Sequence, residues 1–379
     1  MKPRFLWLAP WLALACASCS DSAGTKDPNT ADGGGSGNPN PSPDAGHDWS
    51  VFSSGTEVRV TVPESGRAYV RFDPPGAVQV SGDPKASTDW DLALEQYDVY
   101  TNGGASGTGR GSAFGPIDAP SYSAATPPQV PLMFTDKTGG AFVKWYAYDG
   151  DTHVLYSRYH VAGIQDGTRR WKVQVLGYYG ERDGAPVSAL YKVRYAELFA
   201  DRVGDTVEVT NLDGTAGGLT ADPNKTSEFL DLSNGARTML TPAAANASNA
   251  WQLGFRRDTI GANGGVGGPR GVTSIDFDDA ATAGEALAQV KTRTADGEKA
   301  RFDAINWASF EGKTLRGDRV ISGFGDAWAD RNARTPAYAA WVVTSAGGEK
   351  KYFIGFTSFE NATATSPGTV ALRIKPFKE

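Results

Sequence analysis

The chain has 379 residues, 43 acidic against 37 basic side chains for a net charge of −6, and 40% hydrophobic residues. That is enough apolar material for two ordinary domains, with no basic excess to hold nucleic acid. It carries 46 Gly and 22 Pro but only two Cys and three His, so many short strands are expected over long helices, and little thiol or imidazole chemistry is open to it.

In chain order, Met1 to Arg4 is a short basic start and Phe5 to Ala15 an apolar run of signal-peptide length, too short to cross a bilayer as a helix. Residues 1–15 therefore read as a signal peptide. Ala13-Leu14-Ala15-Cys16 resembles the lipobox of bacterial lipoproteins, which implies lipidation of Cys16; Cys19, with Ser18 before it, is the runner-up, and an ordinary secretory signal is the plainer alternative. Both cysteines lie here, so residues 20–379 have no disulfide and no thiolate site. Residues 16–49 are rich in Gly, Pro, Ser and Asn and read as a flexible tether that includes His47. Such a coil reaches on the order of 30 Å.

The remainder repeats. Residues 90–111 (WDLALEQYDVYTNGGASGTGRG) align with 251–271 (WQLGFRRDTIGANGGVGGPRG), matching Trp90 with Trp251 and Asn102-Gly103-Gly104 with Asn263-Gly264-Gly265. Later, Lys144-Trp145 corresponds to Ala327-Trp328, and residues 160–179 to 341–359. Two homologous β domains are expected, at 50–200 and 206–379. Alternation of two dominates: Val58, Val60 and Val62; Trp171, Val173 and Val175; Tyr191, Val193 and Tyr195. Each of these strands should have one buried and one wet face, as in antiparallel sheets. One helix is expected in the second copy, where Asp278-Asp279 precede AATAGEALAQVKTR. The fold class is mainly β, with a small helical insertion in the second domain. The six tryptophans at repeat positions (90, 145, 171, 251, 328 and 341) are expected in the core.

The run Asp89-Trp90-Asp91-Leu92-Ala93-Leu94 with Thr101-Asn102-Gly103-Gly104, and the later Trp145-Tyr146-Ala147-Tyr148 with Thr152-His153-Val154-Leu155, resemble the HmuY family over most of residues 57–198. The likeness is more degenerate over 226–375. It implies a mostly antiparallel β fold, an outer-membrane lipoprotein displayed at the cell surface or the periplasmic face, and capture of haem for a TonB-dependent receptor. In family members two side chains, His or Met, hold the iron; the motif does not place them in this chain.

The residues narrow the choice. His, Met and Tyr can all ligate haem iron. Outside the tether the only histidines are His153 and His160, both in the first copy, while the second has no His and only Met239. On one straight strand His153 and His160 would lie roughly 23 Å apart, on opposite faces. They converge only if Tyr156-Ser157-Arg158 turns. Met133, in a Pro-rich segment, is the third candidate. The candidate set for iron is His153 and His160, with Met133 as a possible partner; ordinary strand or core roles are the alternative for each. The glycine-rich loop 102–111 lacks a Gly-Lys-Ser/Thr ending, so it reads as a hairpin or bulge and not a phosphate site. No Gly-x-Ser-x-Gly elbow or His-Glu-x-x-His helix is present, and paired carboxylates such as Asp89/Asp91 and Asp276/Asp278/Asp279 carry no specific signal. The expectation is a binding protein and not an enzyme. Its ligand is either haem or, if the fold persists without the cofactor, a partner at the surface.

Overall fold

A computed structural model describes residues 46–130, 132–217, 222 and 224–378. The signal segment with Cys16, and the tether as far as residue 45, lie outside the described residues. The first copy forms β1 (Thr56–Thr61), β2 (Ala68–Phe72), β3 (Pro75–Val78), β4 (Leu92–Glu95), β5 (Asp98–Thr101), β6 (Ser112–Asp118), β7 (Lys137–Gly139), β8 (Tyr146–Asp149), β9 (Val154–Ser157), β10 (Val161–Asp166), β11 (Arg169–Arg182) and β12 (Ala185–Leu198). The second forms β13 (Val207–Asp213), β14 (Ser227–Leu230), β15 (Arg237–Leu240), β16 (Leu253–Arg256), β17 (Thr259–Ala262), β18 (Thr273–Asp276), β19 (Arg319–Ile321), β20 (Ala329–Asp330), β21 (Thr335–Pro336), β22 (Ala339–Thr344), β23 (Lys351–Glu360) and β24 (Thr369–Pro376). Among the described residues, three short α-helices, α1 (Pro242–Asn246), α2 (Leu287–Lys291) and α3 (Lys299–Ala304), lie in the second copy. The protein is mainly β, and its strand ladders are antiparallel.

The repeat reappears as matched sheets. Order β3-β2-β4-β5 in one small sheet is matched by β15-β14-β16-β17 in another. Order β1-β24-β23-β22-β6 in one large sheet is matched by β13-β12-β11-β10-β18 in the other. Within the signature, Trp90 Nε1 donates to Pro84 O and Trp251 Nε1 to Ala245 O, the same six-residue reach in both copies. Asn102 Nδ2 donates to Trp90 O, and Asn263 Nδ2 to Trp251 O. A Cβ on Gly107 or Gly268 would meet the Asn Oδ1 at 2.1 Å, so these glycines are there for close approach. The shared motif is a scaffold for the loop.

The large sheets do not follow the boundary expected between residues 200 and 206. Each takes two strands from one copy and three from the other: β1 and β6 pair with β24 and β22, while β13 and β18 pair with β12 and β10. The copies have exchanged their last three strands. The cores mix in the same way: Val58, Val70 and Leu92 pack with Trp341, Ile354 and Leu372, whereas Trp171, Val173 and Tyr191 pack with Leu230, Leu253 and Phe255. By its contacts the chain beyond the tether is one unit. The crossing point is the short ladder of β7 with β19, in which Lys137, Thr138 and Gly139 face Ile321, Val320 and Arg319.

Two indoles mark the exchange. Trp328, from the second copy, donates its Nε1–H to Tyr97 O at the β4–β5 turn of the first; Trp145, from the first, donates to Asp258 O at the β16–β17 turn of the second. Trp328 is fully buried and Trp145 nearly so. All six repeat-position tryptophans are buried. Trp328→Ala should cost about 3–5 kcal/mol, because it empties a large core site and removes the shorter of the two hydrogen bonds to the Tyr97 carbonyl, leaving that from Arg331; urea unfolding monitored by far-UV circular dichroism measures it.

Two expectations are corrected. The helix expected after Asp278-Asp279 is broken into a 3-10 turn, Asp279–Gly284, and α2, because Glu285 and Ala286 are extended. The Glu285 side chain is drawn into a cluster of cations described below. The wet face expected on β11 and β12 is also covered: Lys172, Gln174 and Arg194 are buried. Lys172 Nζ donates to Phe302 O and Ile305 O, and Arg194 to Gln174 Oε1 and Ala295 O. The helical insertion lies over that face and satisfies its polar groups with backbone carbonyls. The tether's end is ordered, with His47 stacked on Tyr338 at 4.2 Å and Asp48 O accepting from the Tyr338 hydroxyl.

Candidate ligand-binding site

The three expected iron ligands sit on separate elements. Met133 is half-buried against Phe52, Tyr122, Val342 and Phe353, on one face of the first large sheet. His153 ends the turn between β8 and β9 and is exposed. His160 precedes β10 and is buried. The two histidines do not face each other across a hairpin, since β9 pairs with β8 while β10 pairs with β11 and β18.

His160 is fully engaged. Its Nδ1 lies 2.8 Å from Asp276 Oδ2 and its Nε2 2.9 Å from Glu285 Oε2. Both carboxylates accept, so both ring nitrogens donate and the ring is an imidazolium with no lone pair for a metal. Burial alone would lower its pKa, but the bonds to Asp276 and Glu285 prevail and raise it above the ordinary value. Glu285 also accepts from Arg158 Nη1 at 2.9 Å and from Arg293 Nη1 at 2.6 Å. Burial would raise its carboxyl, yet the bonds from Arg293, Arg158 and His160 hold it at about 2. Arg301 spans Glu298 and Asp278, and Asp278 in turn accepts from Val161 N–H. Four cations and four carboxylates (Arg158, His160, Arg293 and Arg301 with Asp276, Asp278, Glu285 and Glu298) thus staple the start of β10 to β18 and the helical insertion. This network consumes the Asp276/Asp278 pair as structure.

His153 is differently placed. Its Nδ1 lies 2.5 Å from the Tyr148 hydroxyl, and no other partner of the ring is seen among the described residues. The hairpin beneath is anchored: Asp149 accepts from Lys291 Nζ at 2.7 Å, and Leu155 N–H donates to the Tyr179 hydroxyl at 3.0 Å. Tyr148 stands opposite Leu155 in the ladder, so their side chains share a face. Tyr148 and Tyr179 are 52% and 43% exposed, among the largest apolar groups left in solvent. An imidazole beside an exposed aromatic surface on a fixed hairpin can hold a flat ligand.

The glycine loop has no anion-binding role visible in its geometry. Asp136 Oδ1 and Oδ2 accept from Gly323 N–H, Thr101 N–H and the Ser106 hydroxyl, and Asp318 Oδ2 accepts from Ala262 N–H, so each loop is closed on a buried carboxylate. Burial pushes Asp136 up to about 6 and Asp318 to about 7. Sequence reasoning missed these two aspartates, together with Tyr148 and Glu285. The first pair follows Phe134-Thr135 and Arg316-Gly317 at matched points of the repeat, the one signal that would have found them. Among the described residues no cluster of three or more His, Cys, Asp or Glu is arranged to hold a metal ion. No helix there is long and apolar enough to cross a membrane. No described protein family and no curated protein matches the chain.

Proposed function

We propose that this is a lipid-anchored, non-enzymatic surface protein that captures haem through the β8–β9 hairpin of its first copy and passes it to a TonB-dependent receptor. The observation that carries the reading is the exposed His153, held against the exposed Tyr148 on an anchored hairpin. The resemblance to the HmuY family supports it, and the signal segment with Cys16 supports attachment to the outer membrane. His160 and Met133 drop out of the ligand set, the first because both its nitrogens are spent on carboxylates and the second because it packs in a different cluster. A second reading, a surface or adhesion protein that keeps the fold without the cofactor, is favoured by that same loss of two candidates. Titration with ferric protoporphyrin separates the two. The first reading expects a Soret shift that survives His160→Gln and Met133→Leu and weakens at least tenfold on His153→Ala. Absence of any shift in the wild type rejects it in favour of the second.

A further inference from the structure

Buried hydroxyls in a folded chain are hydrogen-bonded, so one without a partner at the wall of a cavity points to a ligand. Tyr352 is such a group. It is 5% exposed and lines a cleft of about 860 Å³ at the end of the first large sheet, and among the described residues its hydroxyl has no hydrogen bond. Burial raises the phenol's pKa above its ordinary value, with the Asp73 carboxylate adding to the effect, so the group stays a neutral donor. Phe72, whose ring centre is 5.0 Å from that of Tyr352, supplies the apolar lining together with Ile374 and Phe377. Across the mouth Asp73, just after β2, meets Lys350, just before β23, at 2.6 Å. Both side chains are largely exposed, and a pair so placed is weak enough to open for a ligand.

In the second copy the chain's own side chains take the matching space. In the matched ladders Trp171 stands opposite Glu197 as Tyr352 stands opposite Pro376, and Tyr195 stands opposite Val207 as Ile374 stands opposite Thr56. An indole thus replaces the phenol, and a phenol replaces the isoleucine. Arg169, in the place of Lys350, lies over the indole at 4.8 Å and is held to Glu197 by two bonds. Trp171 is fully buried. The cleft therefore comes from the smaller residues of the first copy and not from the fold itself.

The rim indicates what would enter. Asp73 and Glu349 are balanced by Lys350 and Lys351, and Thr56 and Tyr352 bring hydroxyls. A rim without net charge, offering donors and acceptors side by side, favours a neutral ligand rich in hydroxyls over an anion or a cation. The aromatic lining favours one with an apolar face. A pyranose ring has both properties, and a cleft within the usual range of roughly 300–1,000 Å³ has room for about two or three such rings. We propose that this cleft is a binding site for a neutral saccharide. Tyr352 donates to a sugar oxygen, the C–H face of a ring packs against Phe377, and Asp73 and Lys350 exchange their mutual bond for bonds to sugar hydroxyls. The site goes beyond haem capture and does not depend on it.

The test is isothermal titration of the mature full chain with maltotriose, cellotriose and xylotriose, paired with saturation-transfer NMR. At least one of the three should bind at millimolar concentration or below. Tyr352→Phe, which removes only the hydroxyl, should weaken that binding about fivefold. Tyr352→Trp installs the residue that the second copy carries at this place, so it should abolish binding while the far-UV circular dichroism stays that of wild type. Failure of all three trisaccharides overturns the proposal, and so does binding indifferent to both Tyr352 variants. Laurate bound in their place, and lost in Tyr352→Trp, would make the cleft a site for an amphipathic anion and also overturn it. Each of these results leaves the haem reading where its own titration puts it.

Discussion

Cleaving the chain between Asp201 and Arg202 should leave the two pieces bound to each other as one folded species. This stretch joins β12 to β13, and residues 200–203 are exposed, so an inserted protease site there is reachable. Two consecutive domains would come apart at that point. The exchanged copies cannot, since β1 and β6 are ladder partners of β24 and β22, and separating the pieces would strip both large sheets. Burial of the shared core favours association by roughly 25 cal/mol per Å² of apolar surface, over faces as extensive as those of a domain interior. The nicked protein should run at full mass in gel filtration and separate into two pieces only in denaturant. A covalent check is available from Thr61 and Thr369, whose hydroxyls are 2.9 Å apart across β1 and β24. In a chain begun at residue 46, which has no cysteine of its own, Thr61→Cys with Thr369→Cys should form a disulfide. After nicking, that bond should hold the pieces together on a denaturing, non-reducing gel. Pieces that separate under native conditions, or a failure of the two cysteines to join, would count against the exchange.

The repeat was legible because its markers are local. Trp90 and Asn102 are twelve residues apart and hydrogen-bonded, and Trp251 and Asn263 repeat that bond, so one stretch of sequence contains the whole constraint. The exchange was not legible for the opposite reason. Val58 and Val60 alternate identically whether their strand pairs with β12 or β24, because periodicity reports which face is buried and says nothing of which strand is the neighbour. Lys172, Gln174 and Arg194 read as a wet face until the insertion is laid over them. His160 failed similarly: its two carboxylates lie 116 and 125 residues further on, beyond any spacing argument. Tyr148 and His153 are five apart and were both within view. What the sequence lacked was the turn that folds one back on the other.

Stability should fall as pH rises from about 4 to 8, with its largest loss assigned to Asp318. Asp318 goes from the ordinary 3.8 to about 7 and Asp136 to about 6 on folding, mainly through burial. Between 3.8 and those values the folded chain holds protons that the unfolded chain has released, so each carboxyl penalises the folded state increasingly as pH rises through that window. At 1.36 kcal/mol per pH unit the Asp318 penalty reaches about 4 kcal/mol at most, and that of Asp136 about 3. His160 adds to the same trend: its raised pKa gives a contribution that is complete below 6.5 and lost as pH climbs through the folded value. Glu285, held at about 2, acts in the other direction, its contribution being present above 4.5 and lost as pH falls toward 2. The optimum therefore lies near pH 4, between the two losses. Asp318→Asn isolates the largest contributor, because an amide oxygen can still accept the Ala262 N–H while nothing is left to ionise. Chemical unfolding from pH 4.5 to 8.5 should show the variant more stable than wild type at pH 8 and little different at pH 4.5. Parallel curves for the two proteins would place the alkaline loss elsewhere. The gain matters for the fold as well as for the number. Asp318 Oδ1 lies where a Cβ on Gly140 would sit, at 2.3 Å, so the carboxyl that closes the second copy's loop also packs against the first copy's strand as it crosses over. Charge at that point loosens the crossing of β7 and β19, and neutralising it should slow hydrogen exchange of the Thr138 and Val320 amides in the same variant.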